Sequence, residues 1–598
     1  MARRPRPSRL LMAVRRMLRN DQLLLGFMAL FTGLAVGGAV FGFRVMIALV
    51  QSRAWGTGSE RLYDAVALLP WWQVLLVPTL GGLAVGVLMH RLLPGGRPQG
   101  VAQVMEAAGL HGGRMGLRAG LAAAASSALS IGIGASVGRE GPAVHLGASL
   151  AGWIAAHLRL GRHLSRSLLG CGAAAAVAAS FNAPLAGALF AHEVVVGHYA
   201  LSAFAPVVIS SVAATMLSRG WFGNHPAFLI PEMHMGSWAE FPAFAGIGIA
   251  CALAAVVFQH LVQQSENQLR RLPGPTYLRP AAGGFAVGLI ALAFPQVLGV
   301  GYDVTDDVLK GLIGPGLLLA LLLAKMAATA LSLGSGLAGG VFGPALVLGA
   351  LLGGAFGHAA QAIAPTVASA PGIHAVVGMG ALASAVLGAP ISTTLIVFEM
   401  TADYQVTIAV MLASVVASVL ASQISGRASF FHWQLARRGI DLESGAETRL
   451  LKSLKLADLV KRDAVTVPQQ ARLGDVRRLL QARPEGEVFV LCEHGLLIGS
   501  ITLADLADLA FDPALDDLLN ARDVARLHPP TLALDDDLGT ALDTMRRLHE
   551  PHLAVVAHHD TEIFVGWVHQ TELLDVFAHA LVTARAEETG RKPPRTAL

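Results

Sequence analysis

The sequence predicts a mainly α-helical, polytopic membrane protein with a smaller α/β domain at its C-terminus. Hydrophobic residues make up 54% of the 598 residues and charged residues only 14%, whereas soluble domains carry about 25% charged residues. Residues 326–398 contain no Asp, Glu, Lys or Arg, and one bilayer crossing needs only about 20 apolar residues. Beyond residue 440 the composition is that of a soluble domain. We therefore expect a membrane unit over residues 21–440, followed by a soluble tail.

The abundance of glycine narrows the class of membrane protein. The chain holds 66 glycines. Helices in lipid pack through small residues, because lipid gives them no hydrophobic drive to associate. Glycine also marks broken helices, which are stable at membrane depth only around a protein-lined cavity. A transporter or channel fits this composition better than a simple anchor.

The N-terminal segment 1–20 is strongly basic. It holds seven arginines and no acidic residue, so the positive-inside rule predicts that it lies in the cytoplasm. The apolar stretch that follows is too long for a cleavable signal peptide. A nucleic-acid-binding arm is the weaker alternative, and we expect no nucleic-acid partner. The prediction is a multi-pass protein of the cell membrane with both termini in the cytoplasm.

Two matched pairs of motifs form an internal repeat in the membrane unit. Residues 141–148 read GPAVHLGA and residues 343–350 read GPALVLGA, at an offset of 202 residues (343 − 141). A second pair, APL at 183–185 and API at 389–391, has an offset of 206 residues (389 − 183), and a glutamate follows ten residues after each alanine. Paired, interrupted apolar segments in two halves indicate a transport site where the repeats meet.

The motif GREGP at 138–142 predicts the entrance to a helix. Its glycines and proline are typical of a loop that leads into a first helical turn. Such an N-terminus carries about half a positive charge and unpaired N–H groups, and anions bind there. The carboxylate of Glu140 can imitate a bound anion, leave when protonated and return when ionised, which makes it a pH-sensitive gate. The alternative is a helix-capping glutamate paired with Arg139.

The repeat places a second helix entrance at GGVFGP, residues 339–344. Phe342 is expected beside the site, where its ring edge and the neighbouring backbone N–H groups can face an anion. Ordinary core packing is the alternative for this side chain.

Four motifs together resemble the CLC family of chloride channels and transporters, over about residues 20–440. They are GREGP at 138–142, GxFxP at 340–344, FNAPLAG at 181–187 and GAPIS at 388–392. The resemblance implies an all-helical inverted repeat of tilted and partial helices. It also implies a homodimer in lipid with an anion pathway in each subunit, gated from outside by Glu140.

The resemblance further implies a set of anion-binding residues. Family members usually place a serine of GSGIP and a tyrosine after the last membrane helix at the central anion. Here the counterparts are Gln99 and Phe431, so both hydroxyls are missing, although an amide NH₂ can still donate to an anion. Chloride is the expected substrate, with fluoride, nitrate or another small anion left open. The implied anion site consists of Gln99, Gly100, Arg139, Gly141, Val341, Phe342 and Phe431.

The resemblance also bears on proton coupling. Proton-coupled members usually carry a glutamate one position after the acid of the first half, where this chain has Val194, as channel members do. This favours passive conduction or weak proton coupling, with a proton-coupled antiporter as the alternative. His192 and Glu193 are a second candidate proton route, because an ionisable group within a membrane is a functional hypothesis by default. Buried structural roles are the competing interpretation.

The tail contains two similar units, each with short apolar strands around an amphipathic helix, and resembles a pair of CBS modules. Such pairs often bind adenine nucleotides, and Thr502 and Asp505 match the usual Thr-x-x-Asp position, whereas Glu572 is a weaker match in the second unit. A structural dimerisation module is the alternative, and no cofactor is required. The predicted limits are 441–454 for a linker, 455–512 for CBS unit 1, 520–583 for CBS unit 2 and 584–598 for a terminal segment.

Two other classes of function are disfavoured. A CBS-bearing divalent-cation transporter needs several acidic oxygen ligands in the membrane, which the run 326–398 does not provide. An intramembrane hydrolase needs a nucleophile beside a positioned base, and no such constellation stands out. We therefore predict transmembrane chloride transport and no enzyme activity.

Overall fold

The structure is a computed structural model that divides into two compact units, Met1–Ile440 and Asp441–Leu598. The predicted cytoplasmic segment 1–20 lies outside the described residues, as do 508–512 of the first predicted CBS unit and 589–598 at the C-terminus. The described residues are 21–58, 61–197, 201–223, 228, 235–442, 446–482, 487–507 and 513–588.

The described part of the first unit is helical. Eight of its helical segments are long and apolar enough to cross a membrane, and shorter helices interrupt them, as expected around a cavity. The helices are α1 (Asp21–Trp55), α2 (Leu62–Val66), α3 (Trp71–Leu92), α4 (Val101–Gly109), α5 (Leu117–Gly132), α6 (Glu140–His157), α7 (Arg162–Phe181), α8 (Pro184–Phe190), α9 (Leu201–Phe222), α10 (Phe241–Arg270), α11 (Arg279–Ala293), α12 (Tyr302–Leu309), α13 (Pro315–Ser335), α14 (Phe342–Ile363), α15 (Pro371–Leu387), α16 (Pro390–Thr401), α17 (Tyr404–Ser425) and α18 (Phe430–Ala436).

The ends of the helices repeat between the two halves. α7 is followed by Asn182 and α15 by Gly388, both in the left-handed conformation (φ 59° and 67°) that favours glycine and asparagine. The next helices begin at Pro184 and Pro390, where the missing N–H of proline costs no hydrogen bond. Each pair is 206 positions apart, which is the offset of the second motif pair.

Glycine contacts hold the corresponding helix pairs together in each half. A Cβ on Gly147 of α6 would lie 2.5 Å from the carbonyl oxygen of Gly172 in α7. In the second half, a Cβ on Gly349 of α14 would lie 2.3 Å from the carbonyl oxygen of Gly378 in α15. Only glycine allows backbones to approach this closely. These two close contacts therefore fix the positions of α6 and α14 relative to α7 and α15, and so help to hold α6 and α14 where the two halves meet.

The tail contains two small mixed sheets, in the orders β1-β2-β3-β4 and β5-β6-β7. Each begins with a parallel pair, β1 with β2 and β5 with β6, and continues with antiparallel pairs. Its elements are α19 (Ala446–Ser453), β1 (Thr466–Pro468), α20 (Leu473–Ala482), β2 (Glu487–Leu491), β3 (Leu497–Thr502), α21 (Ala521–Val524), β4 (Arg526–Leu527), β5 (Thr531–Ala533), α22 (Leu538–Leu548), β6 (His552–Val556), β7 (Phe564–His569) and α23 (Gln570–Glu588).

A shared core joins the two sheets of the tail. Phe489 and Leu497 from the first sheet pack with Ala554 and Trp567 from the second. Each unit also has its own core, in which buried residues of an amphipathic helix cover one face of its sheet. The predicted fold class, a mainly helical membrane protein with a C-terminal α/β pair of modules, is confirmed.

Candidate anion site

A short antiparallel bridge joins the two halves of the membrane unit. The N–H of Gly138 donates to the carbonyl of Gly340 (2.7 Å), and the N–H of Gly340 donates back to Gly138 (2.8 Å). The two glycines are 202 positions apart (340 − 138), which is the offset of the first motif pair. Because α6 and α14 each begin two residues later, the bridge brings two positively polarised helix N-termini together.

Glu140 is fully buried between these N-termini. Its Oε2 accepts a hydrogen bond from the N–H of Gly343 (3.1 Å), and its Oε1 accepts one from the hydroxyl of Tyr302. The contact with Arg139 is longer, with 3.9 Å between Nε and Oε1. A carboxylate of the first half thus lies at the N-terminus of a helix of the second half, where an anion would bind.

Tyr302 is a functional candidate that the sequence did not reveal. It is the first residue of α12. The guanidinium carbon of Arg139 lies over its ring, 4.7 Å from the ring centroid. Phe228 packs edge-on against the Tyr302 ring, with the two ring centroids 4.6 Å apart. Tyrosine is rare in this chain, which has five. A rare residue directly after a glycine is the only sequence signal that could have drawn attention to Tyr302.

A cavity of about 950 Å³ leads to the bridge. Of the predicted anion-binding residues, six line its wall: Gln99, Gly100, Gly141, Val341, Phe342 and Phe431. Within the described residues, the wall does not include Arg139 or Glu140. The Glu140 carboxylate therefore does not line the cavity, although the neighbouring Gly141 does.

The residues at the wall differ in what their side chains do. The Gln99 amide makes a long contact of 3.4 Å with the Arg97 carbonyl. The N–H of Gly100 is already satisfied by the side chain of Gln103 (2.7 Å). Phe431 is buried in the first turn of α18. At these three positions the wall therefore offers amide and aromatic groups and no hydroxyl.

Phe342 both lines the cavity and packs in the core. Its ring lies 5.0 Å from that of Phe181 and 5.8 Å from that of Phe190, measured between centroids. It stands 202 positions after Glu140, so the repeat equivalent of the Glu140 carboxylate is an apolar ring. The two interpretations of this residue are thus compatible.

The charge of the cavity wall favours anions. Two of its acidic residues are in ion pairs, Glu106 with Arg438 (2.9 Å) and Glu266 with Arg437 (2.7 Å). Arginines outnumber these glutamates six to two along the wall, and a cleft lined by one sign of charge raises the local concentration of the opposite ion. The arginines are Arg97, Arg114, Arg270, Arg279, Arg437 and Arg438.

Glu193 caps a helix of the other half. Its Oε1 accepts from the N–H of Ile391 (3.0 Å), and its Oε2 accepts from the N–H and the hydroxyl of Ser392 (2.8 and 2.5 Å). Both carboxylate oxygens are therefore engaged at the N-terminus of α16. His192 and Val194 are buried beside it. Within the described residues, none of the three lines the cavity, so the structure does not bring this candidate proton route to the anion site.

Glu399 makes the reciprocal cap. Its Oε1 accepts from the N–H of Leu185 (3.0 Å), and its Oε2 accepts from the N–H of Ala186 (2.8 Å), at the N-terminus of α8. Each glutamate of the second motif pair therefore caps a helix of the other half. Their spacing in the sequence indicates a repeated role, although the pattern alone does not indicate that the role is capping.

In the tail, Thr502 and Asp505 form a closed turn at the end of β3. Both the N–H and the hydroxyl of Thr502 donate to Oδ2 of Asp505, each at 2.8 Å. Asp505 is exposed, and its second carboxylate oxygen is not part of the turn. The structure thus brings Thr502 and Asp505 together, and nucleotide binding by this pair stays a prediction.

A second cluster of charges in the tail surrounds Glu487 of β2. The pKa of this carboxyl is raised to about 7, mainly by burial and also by the nearby carboxylates of Glu550 and Asp505, while a hydrogen bond from Ser500 and the charge of Arg526 act to lower it. The Nδ1 of His552 lies 3.6 Å from Oε2 of Glu487. The neutral form is thus favoured in the folded state, so Glu487 contributes stability at acid pH that is lost as the pH rises through about 7.

Comparison with known proteins identifies the membrane unit. Residues 81–422, more than half of the chain, match the family model for the voltage gated chloride channel. The chain belongs to the CLC family. A second model, for the CBS domain, matches residues 521–579 of this CLC protein.

Relatives of this CLC protein include both channels and exchangers. It is 32% identical to the voltage-gated ClC-type chloride channel ClcB of Escherichia coli, over 64% of this chain and 92% of ClcB. It is 30% identical to the H(+)/Cl(−) exchange transporter ClcA of Vibrio cholerae, over 65% of this chain and 84% of ClcA. The fold matches the crystal structure of a eukaryotic CLC transporter with a TM-score of 0.61 at 18% identity, over 92% of this chain and 97% of that one.

Proposed function

We propose that this CLC protein carries chloride across the cell membrane through the arginine-rich cavity and past Glu140. The observation that carries the proposal is the Glu140 carboxylate on the N–H of Gly343, at the N-terminus of α14. A bound carboxylate there marks a position built for an anion. The excess of arginines along the cavity supports the same sign of charge.

Glu140 is the proposed gate. When its carboxylate is ionised, it occupies the anion position and blocks passage. Protonation removes the charge that holds it against the Gly343 N–H and the Tyr302 hydroxyl, because a neutral carboxyl accepts weaker hydrogen bonds. The side chain then leaves and an anion takes its place. The proposed assembly is a homodimer with one pathway in each subunit and both termini in the cytoplasm.

The proposed transport is passive or only weakly proton-coupled. Val194 stands at the position where exchangers of the resembled type carry a glutamate, and Glu193 is engaged in capping α16. A proton-coupled antiporter is the alternative, and the similarity to the exchange transporter ClcA supports it. The two candidates differ in whether chloride moves alone.

Flux from liposomes loaded with chloride tests this function directly. Chloride and pH are recorded together while an outward chloride gradient is imposed. Chloride loss without proton movement supports passive conduction, whereas chloride movement that drives protons uphill establishes an antiporter. Flux of divalent cations without anion flux would contradict both and favour the CBS-bearing cation transporter.

The preferred anion depends on the unusual residues at the cavity wall. Gln99 and Phe431 stand where hydroxyls are usual, so selectivity rests more on backbone N–H groups and on the Gln99 amide. Fluoride and other small anions are therefore alternative substrates. Relative rates for chloride, fluoride and nitrate in wild type and Gln99→Ser test the assignment, and identical rate ratios would remove Gln99 from the site.

The proposed role of the tail is regulation, with an adenine nucleotide as the candidate ligand at Thr502 and Asp505. A ribose hydroxyl could bind the oxygen of Asp505 that the Thr502 turn does not use. Deleting residues 451–598 should leave transport in place while abolishing any effect of nucleotide on flux. A folded but fully inactive truncation would contradict a purely regulatory role.

A further inference from the structure

Lys325 is a buried basic residue in a helix that is long enough to cross the membrane. It is 2% exposed and is the only charged residue of α13. Lysine is almost never fully buried without partners, and an ionisable residue within a membrane is a functional hypothesis by default. Within the described residues, the cavity wall does not include Lys325. The role of Lys325 therefore has to lie in the protein groups that it contacts.

The amine of Lys325 holds the turn formed by residues 297–301. Its Nζ donates to the carbonyls of Val297 and Gly299, each at 2.9 Å. A Cβ on Gly301 would lie 3.1 Å from the same nitrogen, so the backbone of the turn also passes close to it at this position. Gly301 has a φ of +91°, which other residues rarely adopt. Both ends of the turn are thus fixed against a single side chain.

Packing and a backbone hydrogen bond support the same turn. Val297 and Leu298 are buried in an apolar cluster that includes Ala328 of α13. The N–H of Gly299 donates to the carbonyl of Gly134 (3.0 Å), in the loop that leads to the GREGP motif. The turn is therefore held both by α13 and by the loop before the first helix entrance.

The turn reaches both hydrogen-bond donors of the Glu140 carboxylate. Tyr302, which donates to Oε1, directly follows the turn. Val300 packs against Gly343, whose N–H donates to Oε2, since a Cβ on Gly343 would lie 2.9 Å from Cγ1 of Val300. A hydrogen bond weakens steeply when its angle is distorted. A small shift of the turn would therefore weaken the hold of both donors on the carboxylate.

Charged groups flank the turn on both sides. Asp303, the residue after Tyr302, is buried and attracts the amine of Lys325 in its charged form. On the other side, Nε of Arg139 lies 3.9 Å from the Glu140 carboxylate. Buried polar groups are stable only when they are paired or hydrogen-bonded. Removal of the Lys325 amine would leave two backbone carbonyls without this donor and Asp303 without this cation, so the turn would shift to satisfy them.

We propose that Lys325 is a positioning residue, which fixes the 297–301 turn so that both donors stay aligned on the Glu140 carboxylate. The inference rests on the proposed gating by Glu140 and adds a residue that acts on the gate through the turn. Without the Lys325 amine, the ionised carboxylate leaves its donors more readily. A protonated carboxyl is already released, so the loss of the amine has no effect on gating at acid pH.

The test measures chloride efflux from liposomes that contain the full-length protein, at acid and at alkaline pH, with the same pH on both sides. The readout is the ratio of alkaline to acid efflux, because a merely structural loss scales both rates equally. Lys325→Met keeps most of the side-chain length and removes the amine. It should raise the ratio by up to about 10- to 100-fold, the range for losing one hydrogen bond to a charged group. In a Glu140→Gln background it should leave the ratio unchanged.

Glu240→Gln is the matched control, because Glu240 is a similarly buried ionisable residue that accepts from the Ser369 hydroxyl and not from the turn. It should leave the ratio at the wild-type value. Should Lys325→Met fail to fold, Gly301→Ala disturbs the same contact from the side of the turn, because its Cβ would lie 3.1 Å from Nζ. It should raise the ratio in the same direction.

The outcomes separate the positioning role from the gate itself. A wild-type ratio in folded Lys325→Met or Gly301→Ala overturns the role of Lys325, while the gate stands if Glu140→Gln still removes the pH dependence. An increase that is equally large in the Glu140→Gln background also overturns it, since the turn would then act on another group. Absence of pH-dependent chloride efflux in wild type overturns the proposed gate together with this inference.

Discussion

Replacing Tyr302 with phenylalanine tests whether the second half of the protein holds the Glu140 gate shut. The substitution keeps the ring against Arg139 and Phe228 and removes only the hydroxyl that donates to Oε1 of Glu140. A hydrogen bond to a charged group contributes about 1.5–3 kcal/mol. Because about 1.4 kcal/mol is a factor of ten, the ratio of seated to released carboxylate should fall about 10- to 100-fold.

The assay is chloride efflux from liposomes, with wild type and variant compared at the same neutral to alkaline pH. Tyr302→Phe should increase efflux until permeation itself limits the rate. Tyr63→Phe is the matched control, because it also removes a tyrosine hydroxyl that donates to a carboxylate, here that of Asp307 rather than that of Glu140. In a Glu140→Gln background the Tyr302 substitution should add nothing. Unchanged efflux in Tyr302→Phe, or an equal increase in Tyr63→Phe, would refute the idea that the Tyr302 hydroxyl holds the proposed gate shut.

Three further predictions follow from single carboxylates. Glu140→Gln should imitate the protonated gate, raise chloride flux at neutral pH and flatten the pH profile of flux; a profile that keeps its wild-type shape would remove Glu140 from gating. Glu399→Gln and Glu193→Gln should each destabilise the membrane unit by about 0.5–2 kcal/mol, the usual contribution of an N-cap, as measured by thermal unfolding in detergent. Loss of stability in one variant and not in the other would contradict the reciprocal caps. Glu487→Gln should abolish the decline in stability of the tail as the pH rises toward 7, which reaches about 3 kcal/mol for a pKa raised from 4.5 to about 7. Hydrogen exchange of β2 in the full chain measures this, and a decline that persists in the variant would assign it to another group.

The parts of the fold that follow local patterns were predictable from the sequence. The strands of the tail begin and end within one or two residues of the predicted apolar runs. For example, the run predicted at 488–491 corresponds to the strand Glu487–Leu491. Such strands are predictable because alternation and turns depend on residues that are close in the sequence. The helix entrances at 138–142 and 339–344 were also predictable, since glycine and proline punctuate the chain. The repeat then correctly paired them.

Contacts that span the halves were not predictable in the same way. Tyr302 meets Glu140 across 162 residues, and no periodicity connects them. The sequence indicates Glu193 as a candidate proton group, because an acid within a membrane is a functional hypothesis by default, whereas the structure shows that its hydrogen-bond donors come from the other half. Likewise, the sequence could not show that the N–H of Gly100 donates to the side chain of Gln103, because this hydrogen bond depends on the conformation of one turn.

The exchanged caps of Glu193 and Glu399 have an evolutionary consequence. Each half supplies the carboxylate that completes a helix of the other, with the same two atoms accepting at the same two distances. A half-length ancestor could have satisfied its own helix only by pairing with a second copy of itself, which would have made both contacts at once by symmetry. Gene duplication and fusion would then have preserved both caps without any new residue. Later divergence could change the two helix entrances independently, which leaves Glu140 at one and Phe342 at the other.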